Sequence, residues 1–148
     1  MKPPVTLDAL TEEWAKDAPI DITEPSQELA KIPKLHAKYV TILSFHKLKV
    51  SKIQSDYAQK KAFKLQYYKG DFNNPEDLKQ YNIEPFYKTA GKDVGIYLDQ
   101  DKELVDMLLK KVVHQEIVDF CTAVVKELNN RTFQLKSIID WERFVGIQ

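Results

Sequence analysis

The chain has 148 residues, 43% hydrophobic and 30% charged, with 22 basic residues balancing 22 acidic ones and only four glycines. That length suits one ordinary domain with its own core, and the composition excludes a disordered, fibrous or turn-rich β-sandwich chain. No apolar run reaches the roughly 18 residues of a membrane span, MKPPVTLDALTEEW lacks the apolar heart of a signal peptide, and the lone Cys121 has no disulfide partner, so a reducing, cytosolic setting is expected.

Residues 1–30 carry two lysines against seven acids. Within them Leu7, Leu10 and Trp14, spaced three and four apart, predict a short amphipathic helix over LDALTEEWAK. DAPIDITEPS reads as a connector, with Thr23 or Ser26 as a cap for the next helix and Pro25 near its first turn.

The charge then reverses. Residues 31–69 hold ten lysines against Asp56 alone. Such a block is either a polyanion-binding arm between acidic flanks or a solvated helix face that pairs with acidic neighbours. Beyond Pro33 this stretch has no Pro and no Gly, and Tyr39, Leu43, His46, Val50, Ile53 and Tyr57 are spaced 4, 3, 4, 3, 4, with Ile42, Phe45 and Leu48 beside them. That heptad-like seam predicts a helix from 33 to 69, about 55 Å long. A helix of that length implies a long helical hairpin, a partner chain, or both.

The same count beyond Tyr57 lands on Lys60, Lys64 and Tyr67, with Lys61 and Tyr68 alongside and Lys69 after them. Lysines are expensive to bury, so this end is expected to emerge from the core and to present Lys60, Lys61, Lys64 and Lys69 with the tyrosine pair. A helix C-terminus also favours positive charge by itself.

Residues 70–98 hold two Pro, three of the four Gly and three Asn, and read as a loop region with one short helix near Pro75–Tyr81. A second long helix is expected to start at Asp99 or Asp101 and run to Leu128. Val105, Leu109, Val112, Ile117, Phe120, Cys121, Val124 and Leu128 form its main stripe, and Leu104, Leu108, Val118 and Val125 widen it enough to imply packing on two sides. Asn129-Asn130 is expected to end it, and RTFQLKSIIDWERF to form a third helix to Phe144.

No phosphate-cradling Gly-x-x-x-x-Gly-Lys-Ser/Thr motif occurs, and Gly91 and Gly95 form no such pattern. His36, His46 and His114 lack zinc-site spacing, with His46 read as a packed seam residue. Cys121 reads as a buried thiol and DQDKE at 99–103 as helix-start charge. No catalytic residue, metal site or cofactor is expected, so the chain reads as a non-enzyme.

What stands out is the basic-aromatic helix end. Lysines interleaved with Phe and Tyr suit single-stranded nucleic acid, amines tracking phosphates and rings facing bases. The segment has no Arg, unlike most duplex-groove readers. An acidic protein partner, a membrane surface or plain solvation fits the same pattern.

Three stretches also resemble a known family. LDALTEEWAKDAPIDIT is similar to the opening helix and Lys-Asp-x-x-Ile-Asp-x-Thr connector of the UvsY family of phage recombination mediators. AQKKAFKLQYYKGD resembles its Ala-Gln-Lys-Lys start and Leu-x-Tyr-Tyr end, and VDFCTAVVKELNNRTFQLKSIIDWERF its Asp-Phe-Cys and Arg-x-Phe-x-x-Lys-x-Ile-x-Asp pattern. The order and spacing of the three carry the resemblance.

The resemblance implies an all-α chain, a long helical hairpin or bundle, assembling into a ring-like hexamer or heptamer in the cytoplasm of an infected bacterium. It implies non-specific binding of single-stranded DNA and loading of a UvsX-type recombinase onto strands covered by the phage single-stranded-DNA-binding protein. The resemblance carries DNA binding onto Lys64 and onto Lys60 and Lys61. With the basic-aromatic pattern the candidate DNA-binding residues are Lys60, Lys61, Lys64, Tyr67, Tyr68 and Lys69, the tyrosines fitting base stacking or packing against a neighbouring subunit alike. One departure stands out. The family's first basic residue of a pair before Leu-x-Tyr-Tyr is Ala62 here, Lys64 holds the second place, and Lys61 supplies charge about 100° round the helix. A three-residue deletion after Gln-Lys-Lys leaves Lys60 and Lys61 matching either that start or the later pair. The competing reading is a helical scaffold whose basic helix binds an acidic protein.

Overall fold

The computed structural model describes residues 6–86 and 93–147, so Gly91 and the rest of 87–92 lie outside the described residues. Among the described residues five α-helices follow in order: α1 Leu7–Asp17, α2 Pro25–Tyr68, α3 Pro75–Tyr81, α4 Val94–Gln100 and α5 Lys102–Ile147. Among the described residues there is no strand. The chain forms two compact units, one from residues 1–49 and 113–148, the other from residues 50–112. Both long helices contribute to each.

The first unit has an apolar heart. Leu10, Tyr39, Ile42, Ile117, Cys121, Val124 and Leu128 are buried together, with Leu7, Trp14, Leu35 and Leu43 against them. The 3-4 spacing of Leu7, Leu10 and Trp14 makes α1 a helix with one wet face, and Thr6 caps it by accepting from the Ala9 N–H. On α5 the buried Ile117, Cys121, Val124, Leu128, Arg131 and Leu135 form an unbroken 4-3-4-3-4 seam, with Val118 buried beside it and Leu104 buried nearer the helix start.

Arg131 is the seam's exception, a buried cation. It donates to the Ala18 carbonyl at 2.7 Å, beyond the end of α1, and its guanidinium lies 5.5 Å from the Trp14 ring. Lys38 bridges Glu13 at 2.9 Å and Asp17 at 2.6 Å, while the Tyr39 hydroxyl donates to Asp17 at 2.9 Å. Burial and then the Asp17 bond push the Tyr39 hydroxyl pKa well up. His46, fully buried, meets His114 with ring nitrogens 2.9 Å apart, as a packed seam residue should. Burial raises the Cys121 thiol to about 11, an unreactive sulfur.

Helix boundaries differ from the sequence expectation in three places. α2 begins at Pro25, not Pro33, which lies inside it. An internal proline removes one helical hydrogen bond, but Pro25, Glu28 and Ile32 are buried just before it and hold the first two turns in place. Asn129-Asn130 does not end α5, which runs unbroken for 46 residues. Leu128, Arg131 and Leu135 are buried on either side of the pair, and that packing outweighs asparagine's preference for a cap. Finally, α4 makes 94–98 helical, with Leu98 buried, where a loop was expected.

The second unit is built around α2 from Val50 onward. Gly70, at φ +86°, closes α2 with paired bonds from Asp71 N to Gln66 O and Gly70 N to Tyr67 O, a Schellman end that explains the Gly-Asp stop. α3 falls where expected, capped by Asn74 and closed by Asn82 in the left-handed region. Asn73 then clasps the Phe86 backbone from both sides, at 2.6 and 2.9 Å, fixing the returning loop.

Candidate nucleic-acid interface

All six residues singled out above lie in the second unit, on the last turns of α2 or just beyond. The structure sorts the four lysines into two groups. Lys61 and Lys69 are exposed, and no carboxylate among the described residues lies within 4.0 Å of either amine. Lys60 and Lys64, one turn apart, turn toward the first turn of α5.

The Lys60 amine lies 2.9 Å from Glu103, and the Lys64 amine 3.1 Å from Asp101 and 3.7 Å from Glu103. The Lys64 side chain retains 15% of its exposure and Asp101 only 5%. The expectation that the helix end emerges with all its lysines presented therefore does not hold for Lys64. The basic end of the seam is covered by carboxylates, which make burial of a lysine tolerable.

Asp101 is the hub. It caps α5 by accepting from the Leu104 N–H at 3.1 Å, and it accepts from the Tyr68 hydroxyl at 2.6 Å. Burial alone would raise its pKa, but Tyr68, the Leu104 amide and Lys64 outweigh burial and hold it below the usual carboxylate range. The hydrogen bond from Lys60 likewise lowers the pKa of Glu103. Burial, then the Asp101 bond, drives the Tyr68 hydroxyl pKa well above its ordinary value.

The tyrosines are engaged too. Tyr67 donates to the Glu84 carbonyl at 2.8 Å, and both Tyr67 and Tyr68 pack on Phe86, with ring centroids 5.6 and 5.0 Å away. Tyr68 also stacks with Tyr97. Phe63 stacks on Phe72 and meets Tyr81 edge-on, each at about 5 Å. Tyr81 keeps 42% of its exposure, the most exposed ring of this group, and periodicity did not single it out. Nor did it pair the lysines with Asp101 and Glu103, although the acids of DQDKE were visible as an opposite charge.

Four of the ten lysines between 31 and 69 (Lys31, Lys38, Lys60 and Lys64) lie within 4.0 Å of a carboxylate. The other six, Lys34, Lys47, Lys49, Lys52, Lys61 and Lys69, have no such partner among the described residues. Unpaired amines keep their full attraction for phosphate. No group of His, Cys, Asp and Glu among the described residues could hold a metal ion, and no described helix is long and apolar enough to cross a membrane.

Comparison with known proteins bears on the fold and the family. The fold is that of the bacteriophage T4 recombination mediator protein UvsY, whose crystal structures superpose with TM-scores of 0.75 and 0.74 at 24% identity, one covering 93% of this chain and 97% of that one. The "Recombination protein uvsY" of Enterobacteria phage T4 is 26% identical over 138 residues, 93% of this chain and 96% of that protein. The family described as "Recombination, repair and ssDNA binding protein UvsY" matches residues 13–146, and to that family this chain belongs.

Proposed function

We propose that this chain is a recombination mediator that binds single-stranded DNA without sequence preference through the end of α2. Assembled as a ring-like hexamer or heptamer, it organises the strand, loosens the phage single-stranded-DNA-binding protein and offers the strand to a UvsX-type recombinase. This takes place in the cytoplasm of the infected bacterium. The observation that carries the reading is the set of lysines on and just beyond α2 that have no carboxylate within 4.0 Å among the described residues, in a segment of ten lysines and one acid. Lys61 and Lys69 are the first contacts, Lys60 and Lys64 take part once their carboxylates yield, and Tyr67 and Tyr68 mainly brace the platform. Self-association is supported by the exposed Leu109, Val112, Phe133, Trp141 and Phe144 of α5, between 54% and 70% exposed.

The test is fluorescence anisotropy with labelled oligo-dT against a duplex of equal length, across a salt series. In Lys61→Ala/Lys69→Ala protein of unchanged oligomeric mass, affinity falls and the log–log salt slope shrinks by about 1.4, near 0.7 for each phosphate no longer neutralised. Equal binding to duplex and single strand would overturn the reading. It would favour the second one, an acidic protein partner, which the carboxylates already seated on Lys60 and Lys64 support.

A further inference from the structure

Two carboxylates sit on the basic end of the α2 seam, and they are not equivalent. Asp101 is buried, caps α5, and serves Tyr68 and Lys64 together. Removing it would strip several groups of a partner. Glu103 is different: its side chain is 58% exposed, and the contacts that hold it are those to Lys60 and Lys64. One oxygen reaches Lys60 at 2.9 Å, the other Lys64 at 3.7 Å, so a single anion spans two amines one turn apart.

A backbone phosphate presents the same feature, two negatively polarised oxygens able to span neighbouring amines. It approaches from the solvent side, where Glu103 is open. A displaced Glu103 swings into water and leaves no buried charge unpaired, whereas a displaced Asp101 would.

We propose that Glu103 is an internal competitor for the strand: it occupies Lys60 and Lys64 in the free protein and yields to phosphate when DNA binds. The inference rests on the single-strand reading and assigns its regulation. The competitor lowers affinity while leaving the site intact, which keeps the grip reversible. A protein that must pass its strand onward gains from such a grip, and Lys61 and Lys69, outside the exchange, hold the first contact. The depressed pKa of Glu103 keeps the competitor charged through mildly acidic conditions.

The experiment measures oligo-dT binding at fixed salt for the full chain, Glu103→Gln, Lys60→Ala and the double variant. Glu103→Gln is nearly isosteric at an exposed position, and circular dichroism with light scattering confirms helicity and oligomeric mass. Freeing the amines tightens binding roughly two- to fivefold, the range expected for losing an exposed ion pair. In the Lys60→Ala background the gain shrinks, because the amine that Glu103 masks is gone. Unchanged or weaker binding by Glu103→Gln overturns the competitor, as does an equal gain in both backgrounds, which marks only a change of net charge. If the unmodified protein shows no preference for single strands, the single-strand reading itself fails, and the competitor with it.

Discussion

The two units bury the same heptad seam of α2 with different chemistry. In the first unit Tyr39 and Ile42 meet an apolar stripe of α5, while His46 meets His114 beside it. In the second, the seam positions are Lys60, Lys64 and Tyr67, and what covers them is a buried carboxylate, a half-exposed one and a layer of rings. Apolar burial is non-directional and tolerates little change of volume. An ionic-aromatic interior is directional, responds to pH and salt, and has exchangeable members. The first arrangement suits a scaffold, and the second fits the proposed contact with a polyanion.

The largest effect should come from breaking the apolar side of this contrast. Leu128 is fully buried in the first unit, and Leu128→Ala removes its methyl groups from a packed seam. The expected loss is about 2–5 kcal/mol in urea unfolding at fixed protein concentration. Tryptophan fluorescence is the natural probe, since Trp14 and Trp141 both belong to that unit. A loss below about 1 kcal/mol would mean that the cavity collapses and that the seam is looser than its burial implies.

Asp101→Asn tests the polar side, with a smaller effect. It keeps an acceptor for the Leu104 N–H but removes the charge that Lys64 and Tyr68 share, and should destabilise by about 1–3 kcal/mol. Its pH dependence is more telling. The folded-state pKa lies below the ordinary value of 3.8, so the stabilisation is complete above that value and is lost as pH falls through the folded pKa. The unmodified protein should therefore lose stability below about pH 4 along a steeper limb than Asp101→Asn does. Parallel acid limbs would remove Asp101 from its place as hub.

The contrast also explains what could be read from sequence. α1 was legible because Leu7, Leu10 and Trp14 repeat at helical spacing and then bury that face. α3 was expected near Pro75–Tyr81, and there Asn74 caps its start and Asn82 closes it in the left-handed region. α4 was missed because Gly95 and the nearby turn residues dominate a short window, in which Leu98 is the one buried position. The lysines were found by composition, but their sorting was hidden. The Tyr68–Asp101 bond joins residues 33 apart, and periodicity carries no information about which acid meets which base across such a gap. A rule correct for an isolated lysine, that it must emerge, failed for Lys64 because a partner emerged from elsewhere in the chain.

The smallest effect concerns Asn129 and Asn130, exposed residues in the middle of α5. Taken locally, they are a helix end, and replacing them with alanine should weaken that end. Their neighbours argue the reverse: Leu128, Arg131 and Leu135 hold the helix continuous, so each Asn only lowers the propensity of an exposed interior position. Asn129→Ala/Asn130→Ala should then stabilise the protein by up to about 1 kcal/mol, at unchanged ellipticity per residue. A fall in stability, with loss of helical signal, would mean that the pair does interrupt the helix in solution. The long unbroken seam of the first unit would then be shorter than its burial pattern, and the difference between an apolar scaffold and an exchangeable ionic end would narrow.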